Sequence, residues 1–170
     1  MRTIVISGAS RGIGLNIAHR ELKAGNRISI GIRDLESVKG SVIDPNNWPK
    51  EKLLINKYDA LDKFSAKEWV ENTINKFGSF DTLINCSGVI SKVPFLYKDR
   101  DEEEIVNTFN INFLAIWKLC RLSWEHLIQS NNGRIVVLVS MSGKRSKGDL
   151  AAYSSSKFAL MSLCQTMKNK

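Results

Sequence analysis

The stretch "TIVISGASRGIG", residues 3–14, decides the fold class of this protein. Its first half is β-branched and stops at Gly8, which predicts a buried strand. Apolar residues then recur at helical spacing as far as a glycine suited to end a helix: Ile13, Ile17, Ala18, Leu22 and Gly25. A strand, a glycine-rich turn and an amphipathic helix therefore open the chain.

The rest of the chain repeats this alternation. Four further strands are predicted, at 27–32, 52–58, 81–85 and 133–140. Three further helices are predicted, at 65–77, 103–129 and 151–168. Alternating strands and helices favour a doubly wound parallel α/β sheet with helices on both faces, built as a single domain over 1–170.

Three local features refine this prediction. Ser65 and Glu68 have the spacing of a capping box at the start of the second helix. The fifth strand is nearly all apolar, so we expect it to be covered on both faces. The segment 40–51 is expected to be a surface loop.

Composition bounds the function classes. The 170 residues are 43% hydrophobic and 25% charged, which suits one globular domain with a sizeable core. The net charge of +8 could suit nucleic acid, a membrane surface or a phosphorylated ligand. The basic residues are scattered, however, and no apolar run reaches membrane-spanning length. We therefore expect neither a nucleic-acid nor a membrane partner.

The cysteines indicate a reducing compartment. Cys86, Cys120 and Cys164 are odd in number, far apart and without metal-ligand spacing. We expect reduced thiols and no metal site. The chain passes from Met1 directly into the first strand, which leaves no room for a signal peptide and favours the cytoplasm.

The glycine-rich turn is the first candidate site. Gly8, Gly12 and Gly14 form a G-x-x-x-G-x-G pattern at the end of the first strand. Such glycines permit a tight turn and the close approach of a pyrophosphate, and the helix N-terminus supplies free N–H groups. Plain turn chemistry is the alternative, but the position between strand and helix favours nucleotide binding.

Four motifs in order, "SGASRGIG", "DTLINCSG", "VSMSG" and "YSSSK", resemble those of the short-chain dehydrogenase/reductase family. The resemblance covers essentially the whole chain. It implies a Rossmann-like fold and hydride transfer between NADP(H) and a carbonyl or alcohol substrate. Two alternatives are a catalytically silent dinucleotide-binding regulatory protein and a nucleic-acid binder, the latter resting only on the net charge.

The spacing of Tyr153 and Lys157 places a phenol and an ammonium on one helical face. A carbonyl that receives a hydride needs a proton donor, and a nearby ammonium favours the phenolate. The resemblance implies that Tyr153 is the acid/base and that Lys157 assists it and binds the nicotinamide ribose. An ordinary exposed pair is the alternative.

Two further catalytic residues are implied by the resemblance. Ser140 matches the serine that holds the substrate carbonyl, and Ser142 competes for that role. Asn112 matches the helix asparagine of a proton relay to the lysine, with Asn110 as its rival. Loop capping by the serine and local backbone bonding by the asparagine are the alternative roles.

The resemblance also implies a cofactor-binding set. Its members are Gly8, Ser10, Arg11, Gly12, Ile13, Gly14, Arg33, Asp59, Ala60, Asn85, Ser87, Gly88, Tyr153 and Lys157. Within "INCSG" (84–88), Cys86 stands where the family usually has a second asparagine. A packing role for this thiol is favoured over reactivity, because no base or cation is adjacent.

The end of the second strand, "GIRD", bears on the choice of cofactor. Ile32 stands where an acidic residue would bind the ribose of NAD, and Arg33 follows it. Arg11 in the glycine turn is a second cation within reach of a 2′-phosphate. We expect NADP (NADPH), with NAD less favoured. A one-residue slip that placed Asp34 at the discriminating position would reverse this prediction.

The family continues beyond "CQTMKNK" with sixth and seventh strands and a substrate-covering helix. We therefore expect these 170 residues to be part of a longer protein, with an open edge on the fifth strand. Homo-oligomers through the helices at 103–129 and 151–168 are implied by the resemblance. Lys144, Arg145 and Lys147 could attract an acidic substrate or simply be a solvated loop.

Overall fold

Five parallel strands form the centre of the molecule in a computed structural model that describes residues 1–146 and 148–169. The strands are β1 (Thr3–Ser7), β2 (Arg27–Ile32), β3 (Leu53–Lys57), β4 (Thr82–Asn85) and β5 (Arg134–Val137). Their order is β3-β2-β1-β4-β5, and β1 pairs with both β2 and β4. The strand order reverses at β1, so a crevice opens between the carboxyl ends of β1 and β4.

Helices connect the strands and cover the sheet. They are α1 (Gly12–Lys23), α2 (Ser65–Phe77), α3 (Glu102–Phe109), α4 (Ala115–Ile128) and α5 (Ala151–Lys168). A π turn at Asn110–Leu114 joins α3 to α4, so the predicted long helix is one helical rod with a single widened turn. The predicted doubly wound α/β fold is confirmed.

Alternation along the strands builds two cores. Val5 in β1 packs into a cluster with α2, α4 and α5, whereas its neighbours Ile4 and Ile6 pack into a cluster with α1. Successive side chains of a strand point to opposite faces, so one apolar strand serves both cores. The central strands are thereby packed on both faces, which fixes the position of their carboxyl ends.

Two local predictions are wrong. Ser65 is the first residue of α2 and does not cap it, because its hydroxyl donates to the carbonyl of Asp59 at 2.7 Å. The fifth strand is not covered on both faces: Val136 is 44% exposed, since β5 is the last strand in the sheet order. The segment 40–51 does form a loop, but Ile43 anchors it in the core beside α1.

Candidate active site

The glycine turn after β1 has a shape that only glycine allows. Gly8 and Gly12 have φ angles of 69° and 59°, in the left-handed region. A Cβ on Gly14 would lie 2.5 Å from the carbonyl oxygen of Gly8. The backbone between β1 and the first turn of α1 is therefore bare and closely folded, as a phosphate cradle at a helix N-terminus requires.

The ends of β1 and β4 are packed against each other beneath this turn. The hydroxyls of Ser7 and Ser87 are hydrogen-bonded at 3.0 Å, and the backbone N–H of Ser87 donates to Ser7 Oγ at 3.3 Å. A Cβ on Gly8 would lie 2.8 Å from the same nitrogen of Ser87. The Ser87 hydroxyl thus bonds across the switch point between β1 and β4.

The packed ends of β1 and β4 form the floor of a cleft. The cleft has a volume of about 580 Å³ and extends along the carboxyl ends of the strands. It is lined by Gly8, Ser10, Arg11, Gly12, Ile13, Gly14, Gly31, Ile32, Arg33, Asp34, Ser37, Tyr58, Asp59, Ala60, Leu61, Cys86, Ser87, Gly88, Val89, Ile111 and Leu138. The glycine cradle and the volume fit a nucleotide ligand.

At one end of the cleft, β2 stops at the buried Ile32, and Arg33 and Asp34 follow on the lining. Asp34 caps a short 3₁₀ turn, because its carboxylate accepts the backbone N–H of Glu36 at 2.9 Å. Beside them, after the neighbouring strand β3, Asp59 Oδ1 accepts the backbone N–H of Leu61 at 2.9 Å. Both Arg33 and Asp34 line this end of the cleft, so a cation and a carboxylate are available there.

Cys86 lies on the cleft floor, half-buried. Burial raises the pKa of its thiol to about 11. The thiolate is the reactive form of cysteine, so burial disfavours the reactive form of this residue. Cys86 also packs against the apolar cluster beside α1.

Tyr153 and Lys157 lie one turn apart at the start of α5. Lys157 is only 5% exposed, and its Nζ lies 5.9 Å from the centre of the Tyr153 ring. The Nζ donates to the carbonyl oxygen of Leu138 at 3.1 Å, which joins α5 to the cleft wall beyond β5. Burial lowers the pKa of Lys157.

Asn112 lies in the π turn and is fully buried. Its Oδ1 accepts the backbone N–H of Val89 at 2.9 Å, and its Nδ2 donates to the carbonyl of Val89 at 2.9 Å and to Ser156 Oγ at 3.1 Å. A Cβ on Gly88 would lie 3.2 Å from Asn112 Oδ1 and 3.6 Å from Lys157 Nζ. The rival, Asn110, is the first residue of the π turn.

Ser140 caps the 3₁₀ turn that follows β5, since its Oγ accepts the backbone N–H of Ser142 at 3.1 Å. The same turn is docked on α5, where a Cβ on Gly143 would lie 3.0 Å from the carbonyl oxygen of Lys157. Within residues 1–146 and 148–169 the Ser140 hydroxyl only accepts, so its proton is available to a ligand. Capping and substrate binding are therefore compatible roles for this residue.

Eleven members of the predicted cofactor-binding set line the cleft, and three do not: Asn85, Tyr153 and Lys157. Asn85 is fully buried and donates to Cys120 Sγ at 3.6 Å. Lys157 meets the cleft through Leu138 and Gly88. Lys144 and Arg145 are exposed, and Lys147 lies outside the described residues.

In residues 1–146 and 148–169, no group of three or more His, Cys, Asp or Glu side chains could hold a metal ion. Within those same ranges, no helix has the length and apolar character needed to cross a membrane.

A sequence model described as short chain dehydrogenase matches residues 2–170. The chain belongs to the short-chain dehydrogenase family. The parallel five-stranded sheet is shared by a short-chain dehydrogenase from Streptomyces avermitilis, with a TM-score of 0.88 at 23% identity over 98% of this chain and 59% of that one. At this identity the likeness concerns the fold alone.

Two curated relatives are reductases. An agropine synthesis reductase from Rhizobium rhizogenes is 33% identical over 98% of this chain and 37% of its own length. A diacetyl reductase, (S)-acetoin forming, from Staphylococcus epidermidis is 29% identical over 97% of this chain and 63% of its own length. This short-chain dehydrogenase chain thus spans less than two thirds of either relative.

Several cleft residues of this short-chain dehydrogenase were not predicted as part of the site. They are Gly31, Ser37, Tyr58, Leu61, Val89, Ile111 and Leu138, whereas Asp34 was considered only as the alternative residue at the cofactor-discriminating position. Gly31, a glycine inside a strand, marks a close approach, but its Cβ would lie 2.6 Å from the ring of the buried Trp69 and so indicates core packing. Val89 and Ile111 carried no signal of a binding site, because apolar residues beside a motif are usually interpreted as core residues.

Proposed function

We propose that this protein is an NADP(H)-dependent oxidoreductase that transfers a hydride between the nicotinamide and a carbonyl or alcohol substrate. The observation that carries the proposal is the convergence of Asn112 Oδ1 and Lys157 Nζ on Gly88, at the wall of a cleft that begins in a glycine cradle. An acid–base pair and a nucleotide cleft then share one wall.

The cleft residues named above would hold the dinucleotide, with the bare backbone of Gly12 and Ile13 donating to its phosphates. The bound cofactor supplies the hydride. Asp59 and Ala60 would border the adenine, and Ser87 and Gly88 would allow the ligand to pass close over β4. Asn85 would brace the sheet from below, because its side chain turns away from the cleft lining and bonds to Cys120.

Tyr153 would donate the proton to the substrate oxygen in reduction and accept it in oxidation. Lys157 would stabilise the phenolate, since a buried ammonium that has no carboxylate partner in residues 1–146 and 148–169 exerts its charge in a weakly screened environment. Ser140 would hold the substrate oxygen with its hydroxyl proton. Asn112 would support the proton relay to Lys157 by accepting hydrogen bonds, because its Oδ1 faces the same point beside Gly88 as the ammonium.

The preference for NADP is proposed from charge. Arg11 and Arg33 both line the cleft, and neither makes a salt bridge within residues 1–146 and 148–169. Asp34 lines it as well, but its carboxylate already caps the turn at Glu36. The cleft thus holds two guanidinium groups without a salt bridge and two carboxylates, those of Asp34 and Asp59, which both accept backbone N–H groups. This balance favours a 2′-phosphate over a bare ribose.

Partners are proposed from the helices and the edge strand. Large exposed apolar residues lie on α3, α4 and α5 and on the π turn, which supports a homo-oligomer through these helices; they are Val106, Trp117, Phe158 and Leu114. An apolar groove runs along the open edge of β5, which supports the expectation that a further strand completes the sheet.

Three free thiols support a reducing compartment such as the cytoplasm.

The test has a binding arm and a turnover arm. NADPH and NADH are titrated against the protein by the change in reduced-nicotinamide fluorescence. Keto-acyl, steroid, sugar and quinone carbonyls are then screened for NADPH oxidation. Specific NADPH binding and turnover of at least one carbonyl class are expected. Binding without turnover of any class would argue for a silent dinucleotide-binding protein, and absence of both would refute the proposal.

A further inference from the structure

Ser156 makes a pair of hydrogen bonds that no step of the proposed reaction uses. It lies on α5 between Tyr153 and Lys157 and is fully buried. Its Oγ is 2.7 Å from the carbonyl oxygen of Tyr153 and 3.1 Å from Nδ2 of Asn112. A carbonyl oxygen only accepts, so the hydroxyl proton is used on Tyr153 and the oxygen accepts from Asn112.

The directions of these bonds leave Asn112 one arrangement. Its two amide hydrogens have separate partners, the carbonyl of Val89 and the hydroxyl of Ser156. Reversing the amide would set Nδ2 against the Val89 N–H and Oδ1 against the Val89 carbonyl. Both new pairs would be repulsive, so the amide keeps Oδ1 on the Val89 N–H and toward Gly88, where Lys157 Nζ also lies.

A continuous chain of contacts therefore runs from the cleft wall to the helix of the acid–base pair. It passes from the Val89 backbone through the Asn112 amide and the Ser156 hydroxyl to the Tyr153 carbonyl. The elements it joins are the segment after β4, the π turn and the first turns of α5. Fully satisfied buried networks of this kind rigidify the groups that they connect.

We propose that Ser156 is a positioning residue: its hydroxyl holds the Asn112 amide against α5 and thereby fixes Tyr153 and Lys157 relative to the cleft wall at Val89. The catalytic part of this inference rests on the proposed function, whereas the hydrogen-bond part does not. Without the hydroxyl, one N–H of Asn112 is left unpartnered in a fully buried place. The Asn112 amide then rotates to satisfy this N–H, which weakens its two hydrogen bonds to the Val89 backbone.

Ser154 provides a matched control. It lies on the same helix two residues earlier and is 1% exposed, like Ser156. Its hydroxyl has no hydrogen-bond partner in residues 1–146 and 148–169. Ser154→Ala and Ser156→Ala thus remove the same atom at equal burial, and only the second removes a hydrogen-bonded group.

The first readout is independent of activity. Solvent exchange of the Asn112 side-chain NH₂ protons is followed by NMR, with the signal assigned by its loss in Asn112→Asp. Exchange is expected to accelerate about tenfold or more in Ser156→Ala and to change less than twofold in Ser154→Ala. Equal exchange rates in the two variants would overturn the proposal.

The second readout is turnover with a carbonyl that the screen identifies. Ser156→Ala is expected to lower kcat about tenfold, within the ~100-fold that misplacement by 1 Å can cost. The KM for NADPH should stay within about twofold, since no phosphate contact changes. In an Asn112→Ala background the same substitution should change kcat less than twofold. Additive losses would show that Ser156 does not act through Asn112.

A second pair of variants, whose side chains have the same shape as each other, tests the proposal if Ser156→Ala does not fold. Ser156→Thr keeps a hydroxyl that can still bond the carbonyl three residues earlier, and Ser156→Val has the same shape without it. Slow exchange in the Thr variant and fast exchange in the Val variant are expected; no difference would refute the role. A protein inactive toward all carbonyls would refute the proposed function, and the exchange result would still decide whether Ser156 holds Asn112.

Discussion

The buried ammonium of Lys157 donates to the carbonyl oxygen of Leu138, with 3.1 Å between Nζ and the oxygen. No carboxylate forms a salt bridge with Lys157 in the part of the chain that the structure describes, residues 1–146 and 148–169. Its charge is therefore held by one backbone dipole and by the face of the Tyr153 ring. A buried charge with so few partners lowers the stability of the fold, and we expect it to be kept for function.

The pH dependence of stability tests this view. Burial lowers the pKa of Lys157 in the folded protein, so the unfolded chain binds more protons between that pKa and the ordinary value near ~10.4. The loss of folding stability caused by burying the Lys157 charge is complete below the folded-state pKa. It disappears as the pH rises from that pKa to the ordinary value. Lys157→Met should therefore unfold at an equal or higher urea concentration than the wild type near neutral pH, with the difference shrinking toward pH ~10.

The comparison has to be made as a difference between the two proteins. Burial raises the pKa of Cys86 and Cys120, so both thiols make stability fall with pH above about 8.5, but they are present in each protein. Lys168→Met, at the exposed end of the same helix, is the control. The difference between its urea midpoint and that of the wild type should not change with pH. A Lys157→Met protein that is much less stable near neutral pH would contradict the prediction.

Tyr153→Phe is expected to remove most carbonyl reduction, by about 100-fold or more, while NADPH affinity stays within a few-fold. The phenol is lost, but the glycine cradle is untouched. Turnover is measured by NADPH oxidation and affinity by fluorescence titration. Tyr97→Phe, which changes an exposed tyrosine outside the cleft lining, should leave both unchanged. Retention of more than about a tenth of the activity would remove Tyr153 from its role.

Arg33→Ala is expected to weaken NADPH binding about ten- to a hundredfold and to leave NADH binding nearly unchanged. The reason is the loss of a charge-assisted contact to the 2′-phosphate, worth roughly 1.5–3 kcal/mol. Both affinities are read by fluorescence titration. Arg20→Ala, an exposed arginine on α1 outside the cleft lining, is the control. Equal affinities of the unmodified protein for the two cofactors would refute the NADP preference.

Gly14→Ala is expected to abolish nucleotide binding and to destabilise the fold by about 1–3 kcal/mol. The added Cβ would meet the backbone of Gly8 at 2.5 Å, and backbone cannot move aside as a flexible side chain can. Gly148→Ala, which places a Cβ in open space, should change neither property. Calorimetry with and without NADPH measures both effects. Normal NADPH binding by Gly14→Ala would show that the turn is not the cradle.

Val136→Lys is expected to reduce self-association of the 170-residue chain. Val136 is 44% exposed on the edge strand β5, and a lysine on an edge strand opposes pairing with another chain. Light scattering against concentration compares the variant with the wild type and with Val42→Lys, which changes an exposed valine on a loop. A wild-type chain that stays monodisperse at high concentration would contradict the prediction.

Patterns within one segment were predictable. The strand at 27–32 matched β2 residue for residue, and the helix at 151–168 matched α5, because period-2 and period-3.6 apolar spacing is set by neighbours in sequence. The predicted capping box at Ser65 was wrong because the Ser65 hydroxyl donates to the carbonyl oxygen of Asp59, six residues earlier, in the folded chain. Local spacing cannot decide between two partners when one of them is brought in by packing.

The sequence by itself determined the alternation of strands and helices, the glycine turn and the spacing of Tyr153 and Lys157, since each depends on residues a few positions apart. Only the tertiary structure decided which distant groups meet. It brought Asn112 and Lys157 to the two sides of Gly88, turned Asn85 away from the cleft, and joined Ser156 to Asn112 across 44 residues. Those contacts depend on the strand order and on a π turn whose extra width places Asn112 beside Val89, and no local periodicity encodes either.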